Sequence, residues 1–219
     1  MRHAKRIAIG AGVALLAAAT VGAQMGMMRQ GPMPQGLFNP VVGSGAQYEM
    51  QSGDARKTAM EIDVVGKDTV NGKDAYWFEN TMSGTPMGSM VMKMLMVQDG
   101  GDLYPSRMIM QMQGRPPMEM PTQMGRMGGQ KHAADIRGQA DDLGSETVTT
   151  PAGTFVCEHY RMKDGSGEAW LSEKVSPYGL IKFQGRNTTM VLTKVVTDAK
   201  DKITGTPVPF NPMMMQPPQ

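Results

Sequence analysis

Methionine recurs at every second position in two nearby segments of this 219-residue chain. A period of two fits a β-strand, in which successive side chains point to opposite faces of a sheet, and it does not fit a helix. We therefore predict strands at 89–98 and 103–113, each with its methionines on one face. If the strands pair as a hairpin, their thioethers form one continuous apolar patch. This patch contains Met90, Met92, Met94, Met96, Met108, Met110 and Met112.

The remaining sequence between residues 46 and 197 also shows strand and turn signals. Apolar residues alternate with Glu61 and Asp63 between Arg56 and Val65, as in a strand with one buried and one solvated face. Asn71-Gly72 is the strongest hairpin signal, because both residue types tolerate the positive φ angles of a type I′ turn. Further strands are predicted at 46–51, 74–81, 154–162, 167–172, 178–184 and 188–197. The fold class is therefore all-β, with at most a short helix near 133–140, and the strands form an antiparallel meander in a curved sheet or incomplete β-barrel.

The first 23 residues have the order of a secretory signal peptide. A basic stretch from Arg2 to Arg6 precedes an apolar run at 7–19, and small residues follow up to a cleavage site before Gln24. The alternative is an uncleaved membrane anchor, although the apolar run is short for a span of about 20 residues. We expect a periplasmic or secreted protein, with no stable membrane insertion after cleavage.

Composition divides the rest of the chain into three parts. Residues 24–45 are rich in Met, Gly and Pro and predict a flexible leader. The β-rich domain spans 46–198 and contains an irregular insert at 114–144, either a lid or binding loop or a disordered surface insert. Residues 199–219 carry several prolines and three consecutive methionines, which predict a disordered tail.

Charge and reactive residues argue against several function classes. The net charge is +2, and without residues 1–23 the chain holds 19 basic and 20 acidic residues, so nucleic acid is not an expected partner. Cys157 is the only cysteine, which excludes an intrachain disulfide. Cys157 and His159 share one face of a predicted strand, but a strand interior favours an inert buried thiol over a nucleophile. We expect no enzymatic activity and no cofactor.

The methionine patch leaves three interpretations open. In the first, its side chains only fill a core, since methionine is an adaptable apolar residue. They can also line a site for an apolar or amphiphilic, lipid-like ligand, which is the leading functional hypothesis. Thioethers also select Cu(I) and Ag(I), and Met92, Met94 and Met110 are the candidate ligands for such an ion. A structural or oxidant-absorbing envelope protein is a further alternative, because methionine is readily oxidised to its sulfoxide.

The last third of the chain carries a family resemblance. The segments 146–160, with its Pro-Ala-Gly turn, 168–172, with its tryptophan, and 177–183, with its Pro-Tyr-Gly start, cover about 40 residues. They resemble uncharacterised exported bacterial proteins whose sheet is similar to the lipoprotein-carrier (LolA/LolB-like) half-barrel. The resemblance implies an incomplete antiparallel barrel with a hydrophobic face closed by helices or a lid. No binding motif of that family is matched, so it assigns no site residue here.

Overall fold

The computed structural model describes residues 36–53, 57–85, 88–122, 132–133 and 135–211. These residues form one large, curved, mostly antiparallel sheet that is not closed into a barrel, which confirms the predicted fold class. Its strands are β1 (Gly45–Ser52), β2 (Lys57–Val70), β3 (Lys73–Thr85), β4 (Gly88–Asp99), β5 (Asp102–Met112), β6 (Met118–Met120), β7 (His132–Ala133), β8 (Ala140–Thr150), β9 (Gly153–Met162), β10 (Gly167–Leu171), β11 (Leu180–Gly185), β12 (Thr188–Val196) and β13 (Val208–Pro209). Among these residues no helix has the length and apolarity needed to cross a membrane.

Two meanders make up the sheet. Strands β1 to β6 lie side by side in chain order, and so do β8 to β12. The meanders join where β1 pairs with β12, while β13 adds to β6 as a parallel strand and β7 pairs with β5. Each antiparallel hairpin is local in sequence, so the turn signals of the chain set most of this topology.

The Asn71-Gly72 turn has the predicted geometry. Both residues adopt positive φ angles, 51° and 77°, and Val70 pairs directly with Lys73 across the turn. Positive φ at both central residues defines a type I′ turn, whose twist matches that of the flanking strands. The turn therefore fixes the register of β2 against β3.

The predicted flexible leader is ordered at its C-terminal end. The Phe38 ring lies 6.2, 5.8 and 6.1 Å from the rings of Tyr76, Phe78 and Tyr178, and Phe78 stacks on Tyr178 at 5.9 Å. The Leu37 amide donates a 2.8 Å hydrogen bond to the Tyr178 carbonyl. Aromatic packing of Phe38 and backbone hydrogen bonds, including one from the Asn39 amide to the Pro177 carbonyl, thus attach this segment to the sheet. Residues 1–35, with the predicted signal peptide and the rest of the leader, lie outside the described residues.

The predicted insert and tail are also more regular than the sequence indicated. Within 114–144 the chain forms β6, β7, the first residues of β8 and a 3₁₀ turn at Arg137–Gln139, instead of the short helix expected near 133–140. Asp141 and Asp142, at the end of the predicted irregular insert, lie on β8. In the predicted tail, residues 199–211 are described and supply β13, and polar side chains such as Lys202 bind the sheet.

Candidate functional site

The two methionine-rich strands pair as the sequence predicted. In the β4–β5 hairpin Met90 lies opposite Met112, Met92 opposite Met110 and Met94 opposite Met108. Residues directly opposite each other in an antiparallel pair share one face and bring their side chains into contact range. Met96 lies opposite Pro105, after an irregularity between Leu95 and Met96.

The patch extends beyond the seven residues predicted from the sequence. On β6 Met118 lies opposite Met110, and Met120 lies opposite Met108. On the other side Met82 of β3 lies opposite Met90 and Met60 of β2. We name the whole set the methionine face: Met60, Met82, Met90, Met92, Met94, Met96, Met108, Met110, Met112, Met118 and Met120. Met118 and Met120 also follow a period of two, but their strand is only three residues long and was not recognised.

Burial varies along the methionine face. Met110 and Met118 are only 2% and 1% exposed, whereas Met82, Met90 and Met92 are half-buried. The face therefore has a tightly packed end and an accessible end. Two surface depressions have linings without methionine, one beside Glu49 and Lys57 and the other beside Asn39, Asp135 and Arg137. The predicted ligand-lining residues line neither of them.

Two rows of three methionines cross adjacent strands. One row is Met92–Met110–Met118 and the other is Met94–Met108–Met120. Neighbouring strands in a sheet lie about 4.8 Å apart. Because a methionine side chain is long and unbranched, three thioethers in such a row can converge on one point.

The opposite side of the same strands carries buried charge. Asp63 and Glu79 lie opposite each other on β2 and β3, and both are fully buried. The sequence pattern placed Asp63 on a solvated face, and this expectation was wrong because residues 199–204 of the C-terminal segment bind across that face. We name Glu61, Asp63 and Glu79, with Lys93 of β4, the carboxylate face.

Lys202 of the C-terminal segment bonds to all three carboxylates of the carboxylate face, and together these groups form one charged cluster. Its ammonium donates hydrogen bonds of 2.7 Å to Glu61 Oε1 and 2.5 Å to Asp63 Oδ2, and its backbone amide donates a 2.9 Å bond to Glu79 Oε2. Lys93 makes an ion pair with Asp201 and lies 4.0 Å from Glu79 Oε1. One lysine from the tail and one from the sheet thus balance part of the buried charge.

Burial shifts the pKa values of these carboxyl groups. It raises the pKa of Asp63 to about 6, with Lys202 opposing the shift. It raises the pKa of Glu79 to about 7, helped by the neighbouring Asp201. For Glu61 burial acts in the same direction, but hydrogen bonds from Lys202 and Asp63 bring its pKa below the usual range. The cluster therefore takes up protons near neutral pH.

The Cys157–His159 pair lacks the features of a nucleophile and its base. Cys157 is buried, and burial together with the Glu146 charge raises the pKa of its thiol to about 11. His159 stacks on Trp170 with 4.2 Å between ring centroids, and its Nε2 lies 2.8 Å from Glu168 Oε2. A thiol that stays protonated is a poor nucleophile. The side chain of His132 lies outside the described residues.

Comparison with known proteins gives only distant likenesses. No model of a protein family matches the chain, and no curated protein matches it. Two solved structures share 13% identity with it over 74% of its length. One is a candidate exported protein with a YmcC-like fold from Bacteroides fragilis; the match covers 99% of that chain with a TM-score of 0.38. The other is a candidate lipoprotein from Parabacteroides distasonis; the match covers 100% of that chain with a TM-score of 0.36. Likenesses this distant carry no argument about function, and the LolA/LolB-like resemblance stays a prediction.

Proposed function

We propose that this chain is an exported, non-catalytic binding protein that holds an apolar or amphiphilic ligand against its methionine face in the cell envelope. The observation that carries the proposal is the continuity of that face across β2 to β6. Eleven unbranched thioether side chains on five neighbouring strands form an unusually deformable apolar surface.

The methionine face is more accessible at one end than at the other. The half-buried residues Met82, Met90 and Met92 provide the accessible end, where a ligand makes its first contact. The buried methionines beyond them can adopt other rotamers and so make room for an acyl chain. A surface of this kind favours varied ligands of similar apolarity over one rigid shape.

The signal-peptide pattern of residues 1–23 supports the proposed location. A protein exported to the envelope works close to lipids and other amphiphiles, which are the ligands that such a surface favours. The near-neutral charge of the chain without those residues is compatible with a ligand recognised by apolar contact.

A soft-metal role is the second candidate, because of the two three-methionine rows. Three thioethers around one position form a donor set that favours Cu(I) or Ag(I), and the rows Met92–Met110–Met118 and Met94–Met108–Met120 each supply one. This role needs sulfur, whereas the leading proposal needs only an apolar, deformable surface.

Replacement of Met92, Met94 and Met110 by leucine separates these roles. Leucine keeps nearly the same volume, at a cost of less than about 1.5 kcal/mol per site, but offers no lone pair. The parent and the triple variant are each titrated with a fluorescent fatty acid and, separately, with Cu(I) against a colorimetric chelator. A Met190→Leu variant is the control, since Met190 is buried on β12, away from the methionine rows.

The leading proposal predicts that the parent, the triple variant and the control all bind the fatty probe. Cu(I) binding by the parent that disappears only in the triple variant, without probe binding by any of them, supports the metal role and contradicts the leading one. If the parent binds neither ligand, the methionines only fill a core or absorb oxidants.

A further inference from the structure

The C-terminal segment crosses the carboxylate face outside any strand. Residues 199–205 leave the end of β12 and reach Pro117 and β6 on the far side of β1 to β5. We call these residues the strap. The Ala199 amide donates a 2.9 Å bond to the Gly43 carbonyl, which fixes the start of the strap.

The strap is bound to the sheet mainly by side chains. Near its end, the Thr204 amide donates a 3.0 Å bond to Gln111 Oε1, and Gln111 Nε2 donates 3.2 Å bonds to the Thr204 carbonyl and hydroxyl. In its middle, the Asp201 carboxylate and the Lys202 ammonium make the ion pairs described above. A segment held in this way can detach without breaking a strand ladder.

The charges under the strap do not balance when all groups are ionised. Four carboxylates, those of Glu61, Asp63, Glu79 and Asp201, face two ammonium groups, those of Lys93 and Lys202. The neighbouring side chains on β1, β3, β4 and β5 are uncharged, namely Gln47, Thr81, Val91, Ile109 and Gln111. Two further lysines are exposed, Lys194 opposite Gln47 and Lys200 of the strap. Farther along the same face, Arg107 of β5 and Glu119 of β6 form an ion pair with each other. The closed cluster therefore carries two surplus negative charges.

Two carboxylate oxygen atoms in the cluster have no hydrogen-bond donor among the described residues. Among the described residues nothing donates a hydrogen bond to Asp63 Oδ1 or Glu79 Oε1, although both side chains are fully buried. A Cβ atom at Gly45 would lie 2.0 Å from Asp63 Oδ1, so glycine at this position lets the carboxylate sit under the strap. A buried carboxylate without its full set of donors is costly to keep ionised.

We propose that the strap is a latch that protons tighten. The carboxylates beneath the strap bind protons more readily when the strap is closed than when it is open. When the strap opens, water reaches Asp63 and Glu79 and stabilises their ionised forms. The state that binds more protons is favoured by acid, so closure strengthens as the pH falls and weakens as it rises through neutrality. The raised pKa values of Asp63 and Glu79 agree with this direction. The latch works without any ligand on the methionine face.

The strap also contacts β4, one of the strands that carry the methionine face. Lys93, held by Asp201 of the strap, lies 5.1 Å from the Trp77 ring centre. Its neighbours on β4, Met92 and Met94, point to the opposite face. Opening of the strap therefore releases a side chain in the middle of β4, one of the five strands that form the methionine face.

Amide hydrogen exchange of residues 199–205 in the full chain tests the latch. Exchange is measured at about pH 5.5 and about pH 8 and corrected for the intrinsic rate, and the strap is expected to be at least about tenfold better protected at the lower pH. Amides of β9, far from the cluster, serve as the internal reference. The Asp63→Asn, Glu79→Gln variant should lose most of this pH dependence, whereas Glu49→Gln, which changes an exposed carboxylate paired with Lys57, should keep it.

Equal protection of the strap at both pH values would overturn the proposal, and so would stronger protection at the higher pH. It would also be overturned if the double variant kept the full pH dependence of the parent. If the double variant does not fold, the single Glu79→Gln variant takes its place, because its amide oxygen can still accept the Lys202 bond. That variant must lose part of the pH dependence.

Discussion

Replacing Lys202 by methionine is expected to destabilise the protein strongly at alkaline pH and weakly at acid pH. The change keeps the length of the side chain and removes the ammonium that bonds to Glu61 and Asp63. Removing one partner of a fully buried ion pair costs about 3–5 kcal/mol. Because the Lys202 side chain is 34% exposed, water can replace part of the lost interaction, and we expect about 2–3 kcal/mol at pH 8.

The pH dependence follows from Asp63. Its pKa is raised to about 6 in the parent, and loss of Lys202 raises it further, so the variant loses stability relative to the parent as pH rises through this range. Near pH 5 the Asp63 carboxyl is mostly protonated, whereas Glu61, whose pKa is lowered, still pairs with Lys202 in the parent. We therefore expect the difference in unfolding free energy to fall to about 1 kcal/mol.

Urea denaturation followed by circular dichroism at the two pH values measures this difference. Lys57→Met is the matched control, since it breaks an exposed ion pair with Glu49 and should change stability by less than about 1 kcal/mol at either pH. Adding Asp63→Asn to the Lys202 variant should recover much of the loss at pH 8. A loss of equal size at both pH values, or one no greater than that of the control at pH 8, would show that Lys202 does not stabilise the ionised Asp63 carboxylate.

Three further predictions concern other parts of the chain. Gly72→Val should lower stability by about 1–3 kcal/mol, because the φ of 77° strains a β-branched residue while the space around Gly72 is open; an unchanged melting temperature would contradict this. N-terminal sequencing of the exported protein should begin at Gln24, and an intact Met1 on membrane-bound protein would disprove cleavage. The Cys157 thiol, whose pKa is raised to about 11 by burial and by Glu146, should react with Ellman's reagent at pH 8 only after denaturation, and rapid labelling of the native protein would show it to be accessible.

Local patterns in the sequence were enough to predict the hairpins. The period of two at 90–96 and 108–112 defines which side chains share a face whatever the rest of the chain does, and the structure pairs them as expected. Asn71-Gly72 predicted its turn for a similar reason, since few residue pairs accept two positive φ angles. Such signals act over a few residues and are visible without knowledge of the tertiary structure.

Contacts between distant segments were not predictable in the same way. Lys202 and Asp63 are 139 positions apart, and an alternating strand pattern gives no sign that its polar face is covered by the tail. The order at Leu37 and Phe38 likewise depends on Tyr178, far along the chain. Low-complexity composition at both ends suggested disorder, whereas a few well-placed side chains attach these segments to the sheet.

Native mass spectrometry of the protein, purified under mild conditions from the cells that produce it, shows whether the chain carries an apolar ligand. We expect a species heavier than the bare chain by the mass of one apolar or amphiphilic molecule, which is released by organic solvent and replaced by added fatty acid. The mass of the bare chain alone, unchanged by added fatty acid, would contradict the proposed function, as would a mass increased only by copper or silver ions.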